Sequence, residues 1–226
     1  ERGIYVVEDA CQSIGSKCQM GDGLWQSSGT MGDLGCTSFF PSKNLGCYGD
    51  GGAVFSQSDA LAEKVRSLAN HGMTVRYHHD HIGVNSRLDS LQAAVLDVKL
   101  KYLDDYITAR RTAADYYSAH LKDISSLVLP VVSSYPTHVW HQYTVRVTDG
   151  RRDELQDFLK ENGVPSMVYY PIPIHQQKAY HGSSVSQSAF PISERLSGEV
   201  LSLPMHTELD EEQLHHIVET IRKFFL

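Results

Sequence analysis

The sequence predicts an α/β protein: a large domain built on a mostly parallel sheet, then a small α+β domain. Three observations carry this. Short apolar runs alternate with glycine-rich loops and a helical period through the first half, a long helical stretch follows, and beyond a Ser- and Pro-rich interval the pattern becomes a two-residue alternation that ends in helix. Those shifts place one domain at 1–125 and a second at 126–226.

The elements follow in order. Ile4–Val7, Thr37–Phe40 and Ala53–Phe55 are apolar runs of strand length, and the Gly- and Ser-rich segment 21–29 between them suits a hairpin or a mobile flap. Ser58 is a good N-cap for a helix with Leu61, Val65 and Leu68 on one face, and Gly72 stands where such a helix ends. Leu88, Leu91, Val95, Val98 and Tyr102 recur at three- and four-residue steps, which predicts a helix that continues with a bend to about Leu121. A second apolar set, Leu96, Leu100, Leu103 and Ile107, gives this helix more hydrophobic surface than one contact needs. Most of it suits a core and the surplus suits a subunit interface.

Composition shifts over 122–136, where Asp, Ser and Pro accumulate. Past it, Val139, His141, Tyr143, Val145 and Val147 alternate with polar or partly polar neighbours, as in a half-buried strand. A helix from about Arg152 to Glu161 closes at Asn162-Gly163, a strand is expected over Met167–Tyr170, and Asp210 with Gln213 forms a capping box ahead of the stripe Leu214, Ile217, Val218, Ile221.

Charge and composition exclude several classes of function. A net charge of −7 with 20 scattered Lys and Arg residues disfavours nucleic acid as a partner. No apolar run is long enough to span a bilayer and no signal-peptide pattern opens the chain, so a cytoplasmic protein is expected. Cys11, Cys18, Cys36 and Cys47 lack zinc-site spacing and read as reduced, partly buried thiols. The run His78-His79-Asp80-His81 would point its side chains to opposite faces of an extended segment, so no metal site is expected there.

Lys43 is the most informative residue. It lies between a short aromatic strand and a turn containing Gly46, Gly49, Gly51 and Gly52; Phe39 and Phe40 favour burial and Pro41 stops the strand. An ammonium carried into such a site loses part of its proton affinity. The neutral amine is a nucleophile toward carbonyls and can form a Schiff base. Asp9, at the end of an apolar strand, falls where open α/β sheets place ligands, with Glu8 on the opposite face.

The segment Ser-Phe-Phe-Pro-Ser-Lys-Asn-Leu-Gly over 38–46 resembles the cofactor-lysine segment of the DegT/DnrJ/EryC1/StrS family of pyridoxal-phosphate-dependent sugar aminotransferases. Three further segments are similar to that family in the same order: Val-Glu-Asp-Ala-Cys-Gln over 7–12, Gly-Val-Asn-Ser-Arg-Leu-Asp over 83–89, and Tyr-Tyr-Pro-Ile-Pro-Ile-His over 169–175. The resemblance implies the fold of type I pyridoxal-phosphate enzymes, like that of aspartate aminotransferase, with the large domain present only in part. It implies Lys43 as the residue that binds and serves the cofactor, Asp9 on its ring nitrogen, Gln12 near its phenolic oxygen and Ser38 on its phosphate. Asn85 is implied on the phosphate of the neighbouring subunit, which requires a homodimer, and Arg87 on the sugar nucleotide. Tyr169, Tyr170 and His175 are implied as lining of the substrate cleft.

The implied reaction passes an amino group from glutamate to a ketone on a UDP- or dTDP-linked sugar, for a surface polysaccharide or a natural product. The motif wording leans toward an acetamido-sugar or uronate. Lysine at 43 disfavours the family's dehydratase branch, which has histidine there. Members of the family carry well over a hundred residues ahead of this first strand, so the chain is expected to be the C-terminal part of a longer protein or a truncated gene product. Two alternatives stay open: a fragment without catalysis, and a non-enzymatic nucleotide-sugar-binding module of the same fold.

Overall fold

The computed structural model describes residues 3–131, 137–184 and 189–226; part of the expected boundary interval lies outside them. The chain divides into two compact units, the first made of 1–108 with 133–141 and the second of 109–132 with 142–226.

In the first unit, β1 (Val7–Asp9) pairs in parallel with β4 (Leu34–Ser38), and β5 (Gly52–Phe55) pairs antiparallel to β4. The expected parallel character is therefore carried by β1 and β4. The connection from Ser38 to Gly52 holds no crossover helix, and a parallel partner needs one, so the chain returns antiparallel. The 21–29 segment is the turn and second arm of a hairpin, β2 (Lys17–Gln19) against β3 (Trp25–Ser27). Ile4–Val6 do not join the sheet, and Ile4, Tyr5 and Val6 are exposed, so the first strand lies later than its apolar run suggests.

Helix α1 (Asp59–Ala69) begins as expected: the Ser58 side chain accepts from the Leu61 N–H. It ends with Gly72 at φ +75°, donating to the Ser67 carbonyl, where an added Cβ would strike the His81 carbonyl. The long helical stretch is two helices, α2 (Ser90–Leu100) and α3 (Leu103–Leu121), broken at Lys101 and Tyr102.

The face that α2 buries differs from the first stripe read from the sequence. Leu91 is 73% exposed, and Val98 and Tyr102 are exposed too. Of the second set, Leu96, Leu103 and Ile107 enter a core with Phe39, Leu45, Cys47 and Val139, while Leu100 stays exposed. Periodicity alone does not choose between two apolar stripes; the Phe39–Cys47 loop chooses, by presenting its own apolar side chains to Leu96.

In the second unit, β9 (Tyr143–Val147) lies between β8 (Leu127–Val128) and β10 (Val200–Leu203), all antiparallel. Tyr143, Val145 and Val147 are fully buried, which confirms the alternation, although the strand proper starts only at Tyr143. Helices α4 (Arg152–Glu161), α5 (Pro191–Glu199) and α6 (Glu211–Phe225) complete the unit. Asp210 and Gln213 form the capping box reciprocally, at 2.8 and 3.1 Å, and Leu214, Ile217, Val218 and Ile221 are buried. Met167–Tyr170 is not a strand; only Met167 bridges, to Ser202.

Leu155 of α4 is fully buried. Leu155→Ala should lower the unfolding free energy in urea by about 2–5 kcal/mol through lost burial and a residual cavity, and Asp210→Ala by about 1 kcal/mol through the lost cap.

Candidate active site

The parallel pair brings the carboxyl ends of two strands to one edge, with Asp9 opposite Cys36 and Ser38 two residues farther along β4. Past Ser38 the chain makes a loop tied at both ends: Phe39 N–H donates to the Gly51 carbonyl and Cys47 N–H to the Phe39 carbonyl, each at 2.8 Å. The buried Cys47 thiol lies 3.0 Å from the carbonyls of Phe39 and Gly49. Inside it, Lys43 N–H donates to the Phe40 carbonyl at 2.8 Å, a turn that sets the lysine side chain. Gly46 is required, because a Cβ there would strike the carbonyls of Phe40 and Pro41.

Asn44 of the loop and two side chains from elsewhere in this unit, Lys99 and Gln92, hold it in place. Asn44 Nδ2 donates to the Val139 carbonyl at 2.7 Å, Lys99 Nζ donates to the Gly46 carbonyl at 2.5 Å, and Gln92 Oε1 accepts from the Tyr48 N–H at 2.8 Å. Sequence reasoning missed all three. Lys99 falls off the apolar stripe of α2 and so looks solvated, and nothing in the neighbourhood of Gln92 distinguishes it from a surface residue. Of the two phenylalanines expected to be buried, Phe39 is and Phe40 is 50% exposed, because consecutive residues leaving a strand face opposite ways.

Lys43 is half-buried, and among the described residues nothing forms a hydrogen bond or ion pair with its Nζ. Its charge nevertheless reaches both Asp9 and Cys11. Asp9 Oδ1 accepts from the Cys11 N–H at 3.1 Å. The Asp9 carboxyl is held below its ordinary range, first by the Cys11 thiol and N–H and then, against some desolvation, by Lys43. The Ser38 hydroxyl accepts from the Phe40 N–H at 3.2 Å, which leaves its own proton to donate. Gln12 is exposed three residues beyond Asp9, with its amide uncommitted among the described residues.

Glu8 does point away from Asp9, as alternation demands, and its role is structural. Its carboxylate accepts from the N–H groups of Gly29 at 2.9 Å, Met31 at 2.5 Å and Gly32 at 2.6 Å. Desolvation pushes its pKa up, yet the three backbone donors together hold it below its ordinary value. Glu8 thereby fixes the turn that feeds β4. Glu8 and Asp9 thus serve opposite faces of one strand.

Asn85 and Arg87 are exposed and meet each other, with Arg87 Nε donating to Asn85 Oδ1 at 3.1 Å. They line a small polar recess with Leu88, Asp89 and Ser90. No hydrogen bond joins either residue to Asp9, Ser38 or Lys43.

In the second unit, Tyr169, Tyr170 and His175 do line one cleft, of about 720 Å³, with Ile172, Ile174 and Phe190 among its walls. His175 is only 7% exposed; its Nε2 lies 2.9 Å from Glu194 Oε1 and its ring packs on Phe190. The Glu194 carboxyl is held below its ordinary value by the Phe190 N–H and then by His175.

Comparison with known proteins decides the family. The DegT/DnrJ/EryC1/StrS aminotransferase family profile matches residues 1–222. This chain belongs to that family. It is 44% identical over 225 residues to the pleiotropic regulatory protein of Geobacillus stearothermophilus, covering 99% of this chain and 59% of that protein. It is also 44% identical, over 223 residues, to the UDP-N-acetyl-3-dehydro-alpha-D-glucosamine 3-aminotransferase of Acidithiobacillus ferrooxidans, covering 99% of the chain and 58% of the relative. Among solved structures it superposes with a TM-score of 0.90 on S. venezuelae DesV in complex with a ketimine intermediate, at 38% identity, covering 98% of this chain and 58% of that one. The chain therefore spans rather less than two thirds of the length of the relatives it matches.

The donor set of the first unit fits the pyridoxal-type cofactor of this family. An amine with no hydrogen-bond or ion-pair partner among the described residues and a carboxylate whose pKa that amine's charge helps to lower lie in the same unit, which supplies the types of group that such a cofactor needs. A hydroxyl with a free proton lies on the adjoining strand end.

Because its folded-state pKa is lowered, Glu8 contributes stability that is present above its ordinary value of 4.5 and is lost as pH falls through the folded value. Glu8→Gln should reduce stability at pH 7 and flatten the loss below about pH 4.5, read by urea unfolding from pH 7 to pH 3; identical pH slopes in the two proteins would count against the clamp.

Proposed function

We propose that this chain carries the catalytic lysine of a pyridoxal-phosphate-dependent aminotransferase that moves an amino group from glutamate to a ketone on a UDP- or dTDP-linked sugar, acting in the cytoplasm. The observation that carries the reading is Lys43, half-buried with no partner for its Nζ among the described residues, in the loop that follows β4 and with a charge that helps to keep Asp9 ionised. Similarity to the A. ferrooxidans aminotransferase supports the substrate class.

The chemistry that pyridoxal phosphate supplies when bound is withdrawal of electron density from the carbon being deprotonated. Lys43 Nζ takes the α-proton of the amino donor and gives a proton back on the sugar side, acting as general base and then general acid. The Asp9 carboxylate, kept ionised, holds a proton on a ring nitrogen. The Ser38 hydroxyl and the Gln12 amide are donors for a phosphate and a phenolic oxygen. Tyr169, Tyr170 and His175 receive the sugar nucleotide.

Asn85 and Arg87 serve a second copy of the chain in this reading. Both are exposed, and neither is hydrogen-bonded to its own Asp9–Lys43 cluster, which supports a homodimer with shared sites. Arg87 has the planar donor fork suited to phosphate or carboxylate.

The reading is tested by supplying pyridoxal phosphate, ¹⁵N-glutamate and a nucleotide-linked 3-keto sugar, and following ¹⁵N into the sugar by mass spectrometry. Transfer should depend on Lys43 and vanish in Lys43→Ala. Arg87→Ala should raise KM for the sugar about tenfold, equivalent to about 1.4 kcal/mol of lost binding. Label transfer undiminished in Lys43→Ala would contradict the assignment.

A further inference from the structure

We propose that Glu194 is a positioning residue for His175, fixing its ring so that Nδ1 stands as a hydrogen-bond acceptor in the wall of the cleft lined by Tyr169 and Tyr170. There it selects ligands that bring an N–H or O–H. The inference rests on the reading of that cleft as the place of the nucleotide sugar, and it assigns a task to a residue outside the implied site set.

The wall is mostly apolar, with Ile172, Ile174 and Phe190 beside the two tyrosines. His175 enters it from a short 3₁₀ turn, Ile174–Gln176, that closes with the Gln176 N–H on the Pro173 carbonyl at 3.0 Å. Two contacts then hold the ring. It packs against Phe190 with centroids 4.7 Å apart, and its Nε2 lies 2.9 Å from Glu194 Oε1. The carboxylate is held in turn by the start of α5: the same Oε1 accepts from the Phe190 N–H at 3.1 Å, and the Glu194 N–H donates to the Phe190 carbonyl at 3.0 Å. Phe190 therefore fixes both the ring and the group that meets it. An acid in the first turn of a helix has an ordinary role opposite the dipole. The shared Oε1 turns this one to the histidine as well.

An ionised carboxylate has lone pairs and no proton, so the contact requires the ring proton on Nε2. In a neutral imidazole the remaining lone pair is then at Nδ1, because the bond made by one ring nitrogen decides the state of the other. Nδ1 has no hydrogen-bond partner among the described residues. The donors of two other polar side chains in the wall are spent within the protein: Gln177 Nε2 on the Ile172 carbonyl at 3.3 Å, and the Ser197 hydroxyl on the Glu194 carbonyl at 2.8 Å. An acceptor set among apolar side chains penalises a ligand that leaves it unpaired and favours one that brings a donor. On a nucleotide-linked sugar that donor is a hydroxyl or the N–H of an acetamido group.

Two NMR measurements on protein with ¹⁵N-labelled histidine rings test this, at about pH 8, where an unperturbed imidazole is neutral, with His175→Gln identifying the resonances. The first reads the ring without ligand. The proton should sit on Nε2 in the parent and in Glu194→Gln, which keeps an acceptor, whereas Glu194→Ala should release the ring to exchange between its tautomers. A proton on Nδ1 in the parent, or an unchanged ring in Glu194→Ala, would overturn the inference. The second adds UDP-N-acetylglucosamine, UDP-glucose or dTDP-glucose. The bound donor should shift the Nδ1 resonance and leave the proton on Nε2, which a histidine that only props the wall would not show. A shift with a glucose sugar assigns a hydroxyl, and a shift with the acetamido sugar alone assigns the amide N–H. The Kd for the sugar that binds should rise about tenfold in Glu194→Ala and less than about twofold in Glu194→Gln. An Nδ1 resonance unmoved by all three sugars would also overturn the inference. The ¹⁵N-glutamate transfer assay, run alongside, separates the two readings: no transfer with the ring effects intact sinks the proposed function but upholds the pairing, whereas transfer without those effects sinks the pairing alone.

Discussion

The parallel pairing of β1 with β4 is the constraint on which the candidate site depends. Asp9 and Lys43 are far apart in sequence, and each alone would be an ordinary strand-end acid and an ordinary loop lysine. Register decides otherwise: with Asp9 opposite Cys36, the carboxyl ends of both strands reach one edge, and the loop that follows Ser38 must begin beside Asp9. Slipping the pairing by one residue would exchange the directions of Glu8 and Asp9. The three backbone N–H groups gathered by Glu8 oppose that slip, because Glu8 would lose all of them at once.

The lysine loop needs a second kind of support, since a segment rich in glycine has the most conformational freedom to lose. It receives that support from helix α2 and from the segment around Val139. Lys99 and Gln92 bind loop backbone directly, Leu96 packs beneath it, and Asn44 reaches the Val139 carbonyl. The loop is thereby held by groups other than Lys43, and the Lys43 Nζ has no hydrogen-bond or ion-pair partner among the described residues.

How far this was legible in the sequence depended on whether a local signal or a tertiary one was in charge. Helix α1, helix α4 and the capping box of α6 are local, set by cap residues and spacing, and they stand where the residues put them. The buried face of α2 is tertiary: two apolar stripes competed, and the partner that chose between them lies some fifty residues earlier. The same reason hid Lys99 and Gln92, whose partners are backbone carbonyl and N–H groups without any sequence signature. Asp9, Ser38 and Lys43 lie in the motif segments, and the β1–β4 register brings Asp9 and Ser38 to the same end of the sheet, with Lys43 in the loop that follows. Asn85 and Arg87 are drawn to each other but not to that end, and a helix that begins in one compact unit and ends in the other leaves no mark in composition.

The central claim is that Lys43 is set apart from the other lysines by Asp9 and the loop that carries it. The most direct test is to mix the chain with pyridoxal phosphate, reduce with borohydride and locate the modified lysine by peptide mass, comparing the parent with Asp9→Asn. The account predicts label confined to Lys43 in the parent and much reduced in Asp9→Asn; label spread evenly over the exposed lysines, or unchanged in Asp9→Asn, would contradict it.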